Sequence, residues 1–396
     1  MFQSQETQNT KRNWVLFYTV SLMIFINFWA SVTTTPLYIL ELGGRDFHSG
    51  LQGTLFFLGA VIFRIYLGPL SDRSGRKIPL LIGAFVFGST PILLYFARTV
   101  WVVVIIRVYQ SIGLAAYFAS GPAFVGDLAP FHKMGTYMGL YRLMSATGLL
   151  MGPFIAISII NHYDYNTWFI ASFGIGVSAF LLMLFIGTPK PRSKEKLKFF
   201  HKAREVLKDD KLREIYLGIA IFSFASGIVF TFAPVFLDQI ATLENSGIFF
   251  TIYSLAGILA SIVVGKLLDR KSPLLIILFL GLSYGIGMIL LSLVSAVSEV
   301  MIMAAVLLGT GYAGAVLGLT TKLIKTVSKE SRAIAISIQE NTIDIFIASG
   351  SFIFSGMIPL LGYDVSFILI GILIISVMML RYSKEKTGVK INKDDK

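Results

Sequence analysis

The chain alternates long apolar stretches with short charged turns, and one of those turns occurs twice. Gly68-Pro69-Leu70-Ser71-Asp72-Arg73-Ser74-Gly75-Arg76-Lys77 returns in weaker form as Gly265-Lys266-Leu267-Leu268-Asp269-Arg270-Lys271, 197 residues later. Ser49-Gly50 and Ser246-Gly247 keep the same offset. Two copies of one unit, each with its charged turn at the same place, account for all of these matches.

Each unit is built to sit in lipid. Twelve apolar stretches are long enough for a spanning helix, which needs about 20 residues. They fall at roughly 14–39, 50–69, 78–97, 100–125, 135–160, 166–187, 214–238, 246–267, 273–296, 299–321, 333–357 and 362–381. Only 14% of residues are charged, against about 25% in soluble chains. The expected fold is an all-α integral membrane protein of 12 transmembrane helices in two six-helix, pseudo-symmetric halves. The halves are 1–187 and 214–396, joined by a linker at 188–213. Parallel repeats of this kind build many secondary transporters, with the substrate site between the halves. The first stretch follows Lys11-Arg12 and has no small-residue cleavage site after it, which predicts a retained helix. There is no cysteine, so disulfides, thiolate catalysis and cysteine-based metal sites are excluded.

The basic residues set the orientation. With the N-terminus in the cytoplasm, 29 of the 34 Lys and Arg fall in cytoplasmic segments. Arg45 and Arg98 lie outside, while Arg64, Arg107 and Arg142 lie within spans or at their edges. Both termini are therefore expected in the cytoplasm and the chain in a cell membrane. The net charge of +12 then faces anionic headgroups rather than nucleic acid. The linker opens Thr188-Pro189-Lys190-Pro191-Arg192 and turns densely charged. Leu197, Phe199, Phe200, Val206 and Leu207 leave two readings, an interfacial helix or a solvated tether.

A few polar residues sit where lipid makes them expensive. Arg107 is in the fourth span with Gln110 one turn on. A charge there costs at least about 2.5–3.5 kcal/mol on insertion scales, so it faces a partner or cavity, or snorkels outward from a position only some seven residues inside the span. Glu340 and Asp344 share one face of the eleventh span. At about 1.5 Å per residue from Arg332 they lie about 12 and 18 Å deep, which brings Asp344 near the midplane of an apolar layer about 30 Å thick. They are candidates for proton coupling or for contact with a cationic substrate; a structural pair is the other reading. Arg64 reads equally as a site residue or a snorkelling one, and Arg142 as interfacial. Asn27, Trp29, Ser31 and Thr33-Thr34-Thr35-Pro36 make one side of the first span polar. Ser223, Ser226, Gly227, Thr231 and Pro234 do the same for the seventh, so Pro36 and Pro234 are expected to bend their helices alike. Phe222, Phe224, Phe230 and Phe232 form an aromatic wall. Gly309, Gly311, Gly314 and Gly318 read as a packing stripe.

The repeated turn, Gly68-x-Leu70-x-Asp72-Arg73-x-Gly75-Arg76-Lys77, resembles the loop 2–3 motif of the major facilitator superfamily. Arg107-Val108-Tyr109-Gln110-Ser111-Ile112-Gly113 resembles its R-x-x-Q-G-x-G motif, with Ser111 in place of a glycine. Gly148-x-x-x-Gly152-Pro153 resembles the antiporter motif, with Ala156 and Ile157 where that motif has two glycines. The resemblance covers the whole chain and points to the 12-helix, proton-coupled exporter branch. It implies that Gly68, Asp72, Arg73, Gly75, Arg76 and Asp127, with Asp269 and Arg270 of the second copy, form a conformational latch. In it, Asp72 and Arg76 hold the halves together with the acid at Asp127. Gly68 and Gly75 are expected to allow close approach and a tight turn.

The function that follows is alternating-access transport: export of a small organic molecule or drug in exchange for protons. An importer of a sugar or organic anion, bound by Arg64 and Arg107, is the alternative. No G-x-x-x-x-G-K-[ST] loop is present to couple ATP directly. An intramembrane enzyme is disfavoured: His48, His132, His162 and His201 all lie near or outside the membrane edges, and no H-E-x-x-H or G-x-S-x-G occurs. A channel fits the repeat and latch less well than alternating access does. No cofactor and no metal are implied. The expected partners are the small-molecule substrate, protons and the bilayer, around a monomer.

Overall fold

The computed structural model describes residues 2–130, 133–187, 206–241, 243–268, 273–328 and 331–394. All regular structure among them is helical. The helices are α1 (Phe2–Glu41), α2 (Asp46–Ser74), α3 (Lys77–Phe96), α4 (Val100–Leu128), α5 (Met134–His162), α6 (Tyr165–Leu184), α7 (Asp210–Val235), α8 (Gly247–Leu268), α9 (Pro273–Ser292), α10 (Val300–Thr326) and α11 (Arg332–Asp394). Helix is what a lipid environment demands, because it satisfies every backbone N–H and C=O within one segment. Among the described residues, eleven helical segments are long and apolar enough to span. The last of them, Ile334–Ser383, is 50 residues long and is broken at Gly362, where φ is 73° and ψ 172°. Its two arms supply the eleventh and twelfth spans expected from sequence. The helix runs on to Gly362 with no loop at 358–361.

The chain divides into two compact units. One is Met1–Lys196 with Phe230–Pro234 and Glu244–Thr251; the other is Leu197–Val229, Val235–Leu243 and Ile252–Lys396. In the first unit α1 packs on α5 and α6, α2 on α4, and α3 on α4 and α6. In the second, α9 packs on α10 and α11. Phe17, Phe25, Phe56, Phe87 and Phe124 fill the first core, and Phe222 and Tyr284 are fully buried in the second. Most of the linker, 188–205, lies outside the described residues.

The crossings within each unit are made by missing side chains. A Cβ on Gly176 of α6 would lie 2.4 Å from Cα of Gly88 on α3, and one on Gly371 of α11 would lie 2.7 Å from the carbonyl of Gly285 on α9. A Cβ on Gly113 of α4 would meet α3 at Val86, and one on Gly311 of α10 would meet α9 at Tyr284. Gly113 and Gly311 are 198 residues apart. The duplication seen in the turn is thus also a duplication of close helix contacts. The stripe on α10 packs as expected: Gly309 meets the Tyr253 carbonyl of α8, and Gly314 meets Leu280 of α9.

Two local expectations fail. The chain runs helically through Pro36, and Ser49 Oγ donates to its carbonyl at 3.1 Å. After Pro234, by contrast, the helix widens into a π-turn at Phe236–Ile240, so the two prolines do not act alike. The turn recruits Asp238, which is half-buried, a span-end acid that the sequence reading overlooked. At Gly68 a Cβ would meet nothing within 4 Å, so the expected close approach is missing there. Gly75, with φ 83°, does make the turn that ends α2.

Candidate functional site

In the first unit the fold carries Arg107 into the core, where it is 1% exposed; it does not snorkel. Its Nε donates to Gln52 Oε1 at 2.7 Å, and its Nη1 donates to Ser31 Oγ at 3.0 Å and to Gln110 Oε1. Ser31 Oγ also donates to Gln110 Oε1, at 3.2 Å. The guanidinium carbon lies 3.8 Å from the centroid of Phe56. Gln52 and Phe56 are four residues apart on α2, so one face of that helix supplies both an acceptor and an aromatic surface. Gln52 is fixed in turn by donating to the Ser49 carbonyl at 3.0 Å. No carboxylate pairs with Arg107 among the described residues. The result is a cation inside a spanning bundle, held by amides, a hydroxyl and a ring.

Sequence reasoning had picked Arg107 and Gln110 but not Gln52 or Phe56. Asn27 is engaged elsewhere: its Nδ2 donates to the Ser172 carbonyl and its Oδ1 accepts from Ser172 Oγ, both at 3.0 Å. It ties α1 to α6. A small cavity lined by Asn27, Ser31, Thr34, Thr90, Gln110 and Ser172 adjoins this tie. Arg64 is half-buried and Arg142 is exposed; neither joins the Arg107 cluster.

The replacement of a motif glycine by Ser111 has a local compensation. A Cβ on Gly59 of α2 would lie 2.4 Å from Ser111 Oγ and 3.0 Å from its Cβ. The room that the motif loses on α4 is returned by α2. Gly257 and Gly309, each 198 residues further on, make the corresponding contact in the second unit, where a Cβ on Gly257 would be 3.2 Å from the Gly309 carbonyl. Gly59→Ala is expected to destabilise the protein by about 1–3 kcal/mol through overpacking. Adding Ser111→Gly is expected to restore most of it. Thermal denaturation in detergent of the single and double variants measures both, and a double variant no better than Gly59→Ala would refute the pairing.

At the end of the first unit that bears the charged turn, Arg76 Nε pairs with Asp127 Oδ2 at 2.8 Å, and Arg76 Nη1 donates to Ser71 Oγ at 3.0 Å. Ser120 Oγ donates to Ser71 Oγ at 3.1 Å. The fold therefore joins two of the residues expected in the latch, one at the start of α3 and one at the end of α4. Asp72 and Arg73 are on helical backbone, but their side chains lie outside the described set, as do Asp269 and Arg270 altogether. In α5 the antiporter-like motif serves a crossing: a Cβ on Gly148 would sit 2.6 Å from Phe25 Cβ, and one on Gly152 would sit 2.6 Å from the Ile26 carbonyl of α1. Pro153 is buried beside them.

In the second unit α11 carries Glu340, half-buried, and Asp344, 7% exposed. Tyr312 of α10 is within electrostatic reach of both. Its ring centre is 6.5 Å from that of Tyr284, whose hydroxyl shares a 3.0 Å hydrogen bond with Ser226 of α7. Gln339 is buried; its Nε2 donates to Thr320 Oγ1 at 2.9 Å. Its Oε1 has no hydrogen-bond partner among the described residues. The acids of α11 thus lie near the phenol of α10, which neighbours a phenol of α9 tied to a hydroxyl of α7. The tyrosines were not singled out from sequence, since single tyrosines in apolar spans carry no pattern.

Twelve helical arms among the described residues and a duplicated plan define a multi-pass membrane protein. The family model of the Major Facilitator Superfamily matches residues 17–297 and 215–395, and the chain belongs to that superfamily. It is 26% identical over 285 residues to the multidrug resistance protein MdtG of Escherichia fergusonii, covering 68% of this chain and 69% of that one. Against MdtG of Salmonella paratyphi A it is 26% identical over 278 residues, covering 67% and 69%. The fold is that of a crystallised variant of the nucleoside transporter NupG, with a TM-score of 0.82 at 12% identity over 94% of this chain and 99% of that one. It also matches a POT family transporter, with a TM-score of 0.79 at 14% identity over 95% and 96%.

Proposed function

We propose that the protein is a proton-coupled exporter of a small organic molecule, working by alternating access in a cell membrane with both termini in the cytoplasm. The observation that carries the coupling is Asp344, a carboxyl that is 7% exposed within a span and has Glu340 one turn away. Carrying a fixed charge in such a place is costly, and taking up and releasing a proton is a way to drive a cycle. The sequence similarity to multidrug resistance proteins supports the export direction. The 29-to-2 division of basic residues between the two sides supports the orientation. Arg76 and Asp127 are the proposed anchor of the latch, together with Asp72, Arg73 and the turn at Asp269 and Arg270.

The importer reading relies on Arg64 and Arg107 as an anion site. Arg107 disfavours it: its Nε and Nη1 already serve three acceptors, a ring covers its face, and the side chain is 1% exposed. Its proposed part is to hold α1, α2 and α4 in a charged register. The test is transport in proteoliposomes with an imposed pH gradient, using a panel of organic cations, zwitterions and anions. Uphill accumulation that follows the gradient and collapses with a protonophore is expected for at least one class. Gradient-independent equilibration of every compound would overturn the coupling.

A further inference from the structure

We propose that the small cavity of the first unit is a water site, in which one ordered water binds the amide of Gln110 and ties it to Thr34 of α1 and Thr90 of α3. The cavity has room for about one water and not for a larger ligand. Gln110, Thr34 and Thr90 line it, and each is buried. The orientation of the Gln110 amide is fixed. Arg107 can only donate, and both it and Ser31 donate to Oε1. Nε2 is therefore the other end, with two N–H groups to give. No hydrogen bond takes them up among the described residues. The threonines give their hydrogens to carbonyls of their own helices, Thr34 Oγ1 to Ala30 at 2.8 Å and Thr90 Oγ1 to Val86 at 2.7 Å. Each oxygen keeps its lone pairs and has no further hydrogen to offer.

One donor and two acceptors around a space of this size are what a water satisfies. It accepts from Nε2 and donates to both threonines, three bonds in all, which is typical of a buried water. A metal cation is disfavoured: no carboxylate lines the cavity among the described residues, and Gln110 also holds the Arg107 guanidinium. Amide donors buried without a partner are costly, and the water removes that cost. The consequence is mechanical. Gln110 is then bonded at both ends of its amide, so the acceptor that Arg107 uses is steadied from α1 and α3 as well as carried by α4. The inference rests on the first unit alone and is independent of substrate, direction and coupling.

The experiment is X-ray radiolytic footprinting of the full chain in detergent, read by mass spectrometry. Radiolysis turns a bound water into a hydroxyl radical that oxidises the side chains beside it, so a buried ring is labelled where a water sits against it. Phe87 and Phe169 line the cavity and are 1% and 3% exposed. Phe17 and Phe124 are 0% exposed and are not part of its lining. Phe87 and Phe169 are expected to be oxidised, with Phe17 and Phe124 at background. Thr90→Val keeps the shape, removes an acceptor, and is expected to lose most of the labelling of both rings. Thr90→Ser keeps the acceptor and is expected to retain it. Thr34→Val makes the same test from α1 if Thr90→Val does not fold. Labelling of Phe87 and Phe169 no higher than that of Phe17 and Phe124, or undiminished in the valine variant, overturns the water site. Labelling that is absent in sodium chloride and appears in sodium sulfate overturns the water in favour of a bound halide.

Discussion

Arg107→Lys is expected to cut transport by about one to two orders of magnitude while the protein still folds. Lysine keeps the charge but not the fork. An ammonium presents all its donors from one atom, whereas the guanidinium reaches Gln52 through Nε and Ser31 and Gln110 through Nη1. Losing one charged hydrogen bond costs about 1.5–3 kcal/mol, and about 1.4 kcal/mol is a factor of ten. The flat contact with Phe56 is lost as well. Arg107→Ala is a poorer test, because it strands several buried polar groups and destabilises the fold itself. Transport by Arg107→Lys in proteoliposomes, normalised to monodisperse protein, reads the effect. Wild-type rates would mean that the register set by Arg107 is irrelevant to the cycle.

Asp344→Asn is expected to abolish proton-driven accumulation. The amide has the shape of the protonated acid and cannot release a proton, so the coupled step is frozen in one state. Insertion and folding are expected to survive, since the change removes a charge from a buried place where charge is costly. Substrate exchange without a proton gradient is expected to persist, because exchange needs no net proton release. Glu340→Gln is expected to do less damage, being half-buried and one turn nearer the end of the span. The measurement is the pair of assays side by side: accumulation against a pH gradient, and exchange at equal pH. An Asp344→Asn protein that concentrates substrate at the wild-type rate would move the proton site elsewhere, with Asp238 the next acid to test.

What sequence could and could not reveal follows from the range of the interactions. Twelve spans and two halves were legible because apolar length and turn chemistry are local along the chain. The single error in the spans, the expected loop before residue 362, arose where one glycine with a positive φ does the work of a loop. Arg107 was conspicuous as a charge in a span, yet its partners were not. Gln52 is 55 residues away, and nothing near it in sequence announces an arginine. Gly59 was equally mute until α4 was laid against α2, when the serine at 111 and the glycine at 59 became one fact. The π-turn that places Asp238 is likewise a departure in backbone winding that residue types do not encode.

The glycine crossings carry a further consequence for how this sequence can drift. Where a helix backbone touches its neighbour at Gly88 and Gly176, or at Gly285 and Gly371, no side chain stands between them to yield. Even a methyl group must push a whole helix aside, and a helix moves only with everything packed on it. Elsewhere on the same helices, leucines, isoleucines and valines face outward and are interchangeable as long as they stay apolar. Constraint in this chain is therefore distributed by geometry more than by chemistry: the most replaceable positions are its bulkiest exposed ones, and the least replaceable are those with no side chain at all.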